Sequence, residues 1–82
     1  MARVKRREKK AIAAALALAQ QAGQFPTSKL WIDFDEEADV LYISLMRPQQ
    51  ATATVEVEEQ GILLRYRGKE LVGITVLDAS QR

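Results

Sequence analysis

Five carboxylates lie within seven consecutive positions and form the densest group of side chains that could do chemistry: Asp33, Asp35, Glu36, Glu37 and Asp39. Hard oxygen ligands of this kind hold Ca²⁺ or Mg²⁺ in many proteins. An EF-hand loop would, however, need glycine where Ala38 stands and glutamate where Ser44 stands. We therefore expect no metal site, and a carboxylate metal binder at the turn from Asp33 to Asp39 is kept only as a third alternative. Asp35 and Asp39 should instead bond backbone N–H groups and close a turn, with Glu36 and Glu37 solvated at its tip.

Other catalytic chemistry has few residues available. The chain contains no histidine and no cysteine, which excludes Ser-His and Cys-His catalysis, disulfides and thiolate metal sites. A carboxylate pair acting as acid and base needs a cleft that desolvates one member. Thr52 and Thr54 have no histidine to activate them and are good strand formers. The sequence thus predicts a protein that is not an enzyme, with no catalytic residue and no cofactor.

Six basic residues lie within the first ten positions: Arg3, Lys5, Arg6, Arg7, Lys9 and Lys10. Residues 1–28 carry six basic groups and one acidic group, whereas residues 29–82 carry six basic and ten acidic groups. The basic arm could bind the phosphates of nucleic acid without reading sequence. The first interpretation, however, is a solvated terminus, which could rest on the acidic sheet of a neighbouring chain. Because no aromatic residue is interleaved and no helix-turn-helix pattern follows, nucleic-acid binding is the alternative function.

Residues 4–22 are good helix formers with a run of alanines, and Gly23 stands where a C′ glycine would end a helix. Ile12, Leu16 and Ala19 recur at helical spacing, so one face is apolar. Pro26 then marks a linker. The basic helical extension and linker therefore occupy residues 1–28.

From residue 30 onward, the apolar residues recur with the period of two that is typical of strands. The predicted strands are residues 30–34, 40–45, 51–58, 62–66 and 71–77. The short connections favour antiparallel neighbours in chain order. The fold class is therefore predicted as α+β, with the N-terminal helix packed on a five-stranded antiparallel β-meander formed by residues 29–82.

Trp31 and Tyr42 alternate out of phase with the expected core residues Ile32 and Ile43, which places them on the opposite face of the sheet. One helix does not cover two partly apolar faces, and an uncovered apolar face favours dimerisation or partner binding. The candidate partner or dimer surface comprises Ile12, Leu16, Ala19, Trp31 and Tyr42. We expect a homodimer that also binds a small protein partner.

The basic start followed by nine apolar residues, 11–19, is similar to a signal peptide. A poor cleavage site follows it, and a membrane span needs about 20 apolar residues. We therefore expect a cytoplasmic protein with no membrane association.

Three segments also carry a resemblance to a known family. They are FDEEADVLYI at residues 34–43, GILL at 61–64 and LVGITVLDAS at 71–80. In this order and spacing the chain resembles, over residues 31–80, the small bacterial family known as domain of unknown function 2283. The resemblance implies an antiparallel sheet packed with helix, no established enzymatic activity and, in some members, an antitoxin-like role beside a small toxin. It assigns no functional residue. The predicted function is thus a non-enzymatic protein-interaction module that binds a small partner in the manner of an antitoxin.

Overall fold

The structure is a computed structural model that describes residues 5–82. Within these residues the chain forms one α-helix, α1 (Arg6–Ala22), five strands and two short 3₁₀ helices, Glu58–Gln60 and Ala79–Gln81. The strands are β1 (Trp31–Asp35), β2 (Val40–Ser44), β3 (Ala53–Val57), β4 (Ile62–Arg67) and β5 (Glu70–Val76). All neighbouring strands are antiparallel. The α+β class predicted from the sequence is therefore confirmed, with one N-terminal helix and a five-stranded antiparallel sheet.

The order of the strands differs from a simple meander. The sheet runs β1-β2-β5-β4-β3, so that β2 pairs with β5 and β3 lies at the far edge. The eight residues from Leu45 to Thr52 carry the chain past two strands, a span of about 14 Å at the usual strand spacing. Eight extended residues reach about 26 Å. The sequence-based prediction assumed that such a short connection makes β2 and β3 neighbours. This prediction is wrong, because the connection is long enough to pass β5 and β4.

The residue content of the strands explains which ones lie in the centre. β5 carries Val72, Ile74 and Val76 on one face and places Gly73 and Thr75, both buried, on the other. β3 carries Thr54 and Glu56 on its second face, and both are exposed. Because a central strand is enclosed on both edges and an edge strand tolerates polar residues, β5 lies inside the sheet and β3 outside.

The ends of α1 follow from local bonding. At the start, the Glu8 carboxylate accepts a hydrogen bond from the Lys5 N–H at 3.3 Å, which is one half of a capping box. At the end, Gly23 has φ −70°, in the right-handed helical region. The helix ends before Gly23 as predicted, although this glycine is not left-handed: the chain leaves the helix through tight turns from Gln24 to Gln21 and from Phe25 to Ala22.

The predicted packing of the helix on the sheet is not seen. All of α1 lies within the described residues, and none of its residues is buried. The molecule measures 49 by 26 by 20 Å, and its radius of gyration of 14.8 Å exceeds the value of about 12 Å for a compact chain of this length. The elongation fits a helix of about 25 Å that stands away from the sheet. The linker, through Pro26 and Thr27, lies beside Leu45 and Leu71 at one end of the strands.

Candidate functional site

One face of the sheet is apolar across all five strands. The strand register aligns two complete rows of side chains, in the order β1, β2, β5, β4, β3. The first row contains Ile32, Ile43, Ile74, Leu64 and Val55. The second contains Phe34, Leu41, Val76, Ile62 and Val57. We call these ten residues the apolar face.

The apolar face is largely uncovered. Of its ten residues only Ile43 is buried, at 9% exposure. At the edges, Ile32 is 42% exposed, Phe34 is 52% exposed and Val55 is 50% exposed. The other six residues, although five of them lie in strands inside the sheet, are only half-buried. The expected core around Ile32 and Ile43 is therefore an open surface, because α1 does not cover it.

The opposite face, which we call the mixed face, is more polar. Its two rows are Trp31, Ser44, Gly73, Arg65 and Thr54, and Asp33, Tyr42, Thr75, Leu63 and Glu56. The connection after β2 partly covers it, since the Gln49 side chain lies over Gly73 and donates a hydrogen bond to the Ser44 hydroxyl at 2.8 Å. The Arg65 Nε is buried there and has no hydrogen-bond partner among the described residues.

The residues of the predicted partner surface lie on separate elements. Trp31 and Tyr42 do share a face opposite Ile32 and Ile43, as the alternation indicated, but it is the mixed face. Trp31 is half-buried and Tyr42 is 42% exposed. Ile12 and Leu16 are 48% and 61% exposed on α1, and Ala19 is also exposed. The apolar stripe of the helix is thus a second uncovered surface.

The basic residues of the helix are all accessible. Lys5, Arg6, Arg7, Lys9 and Lys10 are exposed in the first turns of α1 and just before it. Arg3, the sixth predicted phosphate contact, lies outside the described residues. Glu8 is the acidic residue among these cations, and its carboxylate is bonded to the Lys5 N–H.

The acidic residues of the turn between β1 and β2 have structural partners. The Asp35 carboxylate accepts a hydrogen bond from the Ala38 N–H at 3.1 Å, which closes the turn as predicted. Asp39, which was predicted to close the same turn, instead accepts hydrogen bonds from the distant Ser80 through both carboxylate oxygens, at a φ of 56°. Within residues 5–82, no group of three or more acidic side chains is arranged to hold a metal ion.

The hydroxyl of Thr52 also has a structural role. It accepts a hydrogen bond from the Gly68 N–H at 3.1 Å and donates one to the Tyr66 carbonyl at 3.4 Å. The Thr52 N–H bonds the same carbonyl at 2.7 Å. These contacts connect the residue before β3 to the end of β4 and to the turn that follows it. The Thr52 side chain therefore stabilises the fold.

Sequence reasoning missed the apolar face as a candidate site, although the signal was present. The alternation in each strand identified the apolar side correctly, and the interpretation then assigned that side to a core. Only the absence of a covering element, which depends on where α1 lies, makes the same residues a candidate binding surface.

The family described as "Protein of unknown function (DUF2283)" matches residues 31–80. Neither the curated proteins nor the solved structures gave a match. No helix in the described part of the chain is long and apolar enough to cross a membrane.

Proposed function

We propose that this chain, which belongs to the DUF2283 family of proteins of unknown function, is a non-enzymatic protein-interaction module that binds through its apolar face. The observation that supports this proposal is the pair of complete apolar rows, in which nine of ten residues are not buried. Contiguous apolar surface of this kind on a small protein typically marks a protein contact site.

The free energy available from covering this face is large enough to drive association. Fully burying an exposed Val, Leu, Ile or Phe side chain stabilises by about 1.5–3 kcal/mol, and a half-buried one retains roughly half of that. Nine such residues therefore offer on the order of 10 kcal/mol. The loss of translational and rotational freedom on association costs about 4–15 kcal/mol. The gain lies near the middle of this range, and burial of the partner's own apolar side chains adds to it, so an apolar partner would give stable binding.

We further propose the location, the partner and the biological role expected from the sequence. The protein acts in the cytoplasm, as a homodimer or with a small protein partner, and the antitoxin-like role implied by the resemblance would use the apolar face to cover a partner. The contact site proposed here differs from the predicted one, because Trp31 and Tyr42 lie on the mixed face.

Capture of partners by matched variants tests the proposal. Val55 and Thr54 are adjacent, exposed and on opposite faces of β3. We expect the tagged protein to capture a stoichiometric protein, either untagged copies or a different chain, from its host at moderate salt. Val55→Asp should abolish this capture, because the new carboxylate would be desolvated without a partner. Thr54→Asp carries the same charge change and should retain it. Equal capture by both variants and the unmodified protein would refute the proposal.

A second function is supported by the basic residues of α1. Four cations, Arg6, Arg7, Lys9 and Lys10, are exposed on a helix that has no buried residue. They would meet the phosphates of DNA or RNA and give a binding constant that falls steeply with salt. Replacing Lys9 and Lys10 with glutamine should then reduce the slope of log K against log salt by about 2. A slope that is flat, or unchanged in the variant, would exclude this role.

A further inference from the structure

The width of the apolar face restricts what can cover it. Five strands at about 4.8 Å spacing place the outer strands about 19 Å apart. A helix is about 10 Å wide, so α1 would cover about half of the face even if it folded back on its own sheet. A second sheet of the same width covers it completely, at the usual separation of about 10 Å between packed sheets.

Building on the proposed function, we infer that the partner on the apolar face is a second copy of this chain. The two apolar faces pack against each other. Each strand of one copy lies over the same strand of the other copy and runs in the opposite direction. The first row of each copy then lies over the second row of its partner, and the edge residues Ile32, Phe34 and Val55 enter the interface.

The accessible area supports a second copy of this size. The chain exposes 6810 Å², whereas a compact protein of 9.2 kDa exposes about 4,900 Å² by the usual scaling. This excess of about 1,900 Å² belongs to the whole chain and includes α1, which has no buried residue. Specific interfaces bury about 800 Å² on each partner. The chain therefore exposes more surface than a self-contained protein of its size, as expected of one that associates.

The distribution of charge along the strands selects the antiparallel arrangement. One end of the sheet is acidic. It consists of the turn between β1 and β2, the turn between β3 and β4, and the segment after β5. This end also contains one basic residue, Arg82. Its acidic residues are Asp35, Glu36, Glu37, Asp39, Glu58, Glu59 and Asp78. The other end is basic and also contains Glu70. Its basic residues are Lys29, Arg47, Arg67 and Lys69.

A two-fold axis perpendicular to the strands brings the acidic end of each copy over the basic end of the other. An axis parallel to the strands would instead stack acidic end on acidic end, which like-charge repulsion disfavours. The linker joins the sheet at the basic end, beside Leu45 and Leu71.

Sedimentation equilibrium on matched variants tests which face is used. We expect the intact protein to be a dimer, Thr54→Asp to remain one, and Val55→Asp to raise the dimer dissociation constant about 100-fold or more. Phe34→Asp, on the opposite edge strand, provides a second variant should Val55→Asp fail to fold, as judged by circular dichroism. A dimer that persists in both folded apolar-face variants would overturn the inference.

Distance measurement between spin labels tests the orientation. The chain has no cysteine, so Lys69→Cys gives one labelled site in the exposed turn between β4 and β5. Lys69 lies about 15 Å along the strand from the centre of the apolar rows, because four residues of β4 rise about 3.3 Å each and the turn adds a little more. If equivalent strands of the two copies run antiparallel, the labels should be about 30 Å apart, whereas a parallel arrangement would place them within about 15 Å. The shorter distance would refute the arrangement selected by charge.

These outcomes separate the two proposals. A monomer at concentrations of about 100 μM would overturn the self-association inferred here. The proposed function would nevertheless stand if a different protein were captured by the unmodified chain and by Thr54→Asp but not by Val55→Asp. Loss of both self-association and Val55-dependent capture would refute both proposals.

Discussion

The Asp39 carboxylate accepts hydrogen bonds from the Ser80 N–H at 2.9 Å and from the Ser80 hydroxyl at 2.8 Å. The Asp39 carbonyl also accepts one from the Ala79 N–H at 2.9 Å. This pair of residues, 41 positions apart, fastens the segment after β5 to the turn between β1 and β2. Both residues belong to segments that carry the family resemblance, so this contact gives a physical reason for those residue types.

Loss of this contact should lower the stability of the fold. We expect Asp39→Ala to reduce the free energy of unfolding by about 1.5–3 kcal/mol, because charge-assisted hydrogen bonds are lost at a left-handed residue. Ser80→Ala should cost less, about 0.5–1.5 kcal/mol, since the backbone N–H remains. Urea unfolding at one fixed protein concentration measures both. Glu37→Ala, an exposed change in the same turn, is the control; a comparable loss in that variant would contradict the assignment.

Gly73 leaves room for the side chain that lies over it. A Cβ at this position would lie 2.5 Å from the Gln49 Nε2, at the end of a flexible side chain, so Gly73→Ala should shift Gln49 and weaken its bond to Ser44. We expect a cost of about 0.5–1.5 kcal/mol in thermal or urea unfolding. In a Gln49→Ala background the same change should be neutral or stabilising, because alanine lowers the entropy of the unfolded chain. Equal effects in both backgrounds would show that Gln49 is not the cause.

Gly68 is required by its backbone conformation. It has φ 63° in the two-residue turn between β4 and β5, and a Cβ there would meet nothing within 4 Å. Gly68→Ala should cost about 1–2 kcal/mol from the left-handed conformation alone, and Gly68→Asn should cost less. Gly23→Ala is the matched control, since Gly23 has φ −70° and equally open surroundings; it should be neutral or stabilising. Similar losses at both glycines would refute this explanation.

Glu8 should determine how well α1 begins. Its carboxylate bonds the Lys5 N–H and is the negative charge in a first turn rich in cations. Glu8→Ala removes the hydrogen bond and a favourable interaction with the helix dipole, worth about 0.5–1 kcal/mol together. We expect faster amide exchange in the first turns of α1. Glu8→Gln keeps a hydrogen-bond acceptor, so its amide exchange rate should lie between those of the unmodified chain and Glu8→Ala. An exchange rate in Glu8→Ala equal to that of the unmodified chain would contradict this role.

Local patterns in the sequence determined most of the secondary structure. The alanine-rich stretch and the change from helical to alternating periodicity placed α1 and the five strands within a few residues of their observed bounds. The same alternation separated Ile32 and Ile43 from Trp31 and Tyr42, which do lie on opposite faces. These features depend on backbone preference and side-chain period, and both can be judged from neighbouring residues.

Only the tertiary structure decided the order of the strands and whether the apolar face is buried or exposed. The pairing of Ile43 with Ile74 brings β2 beside β5, although a shorter-range pairing of β2 with β3 satisfied the same local pattern. Whether Ile32, Phe34 and Val55 form a core or an open surface depends on the position of α1, which no residue near them specifies. Periodicity tells which side of a strand is apolar, but the element that covers that side is chosen by contacts between distant parts of the chain, or between two chains.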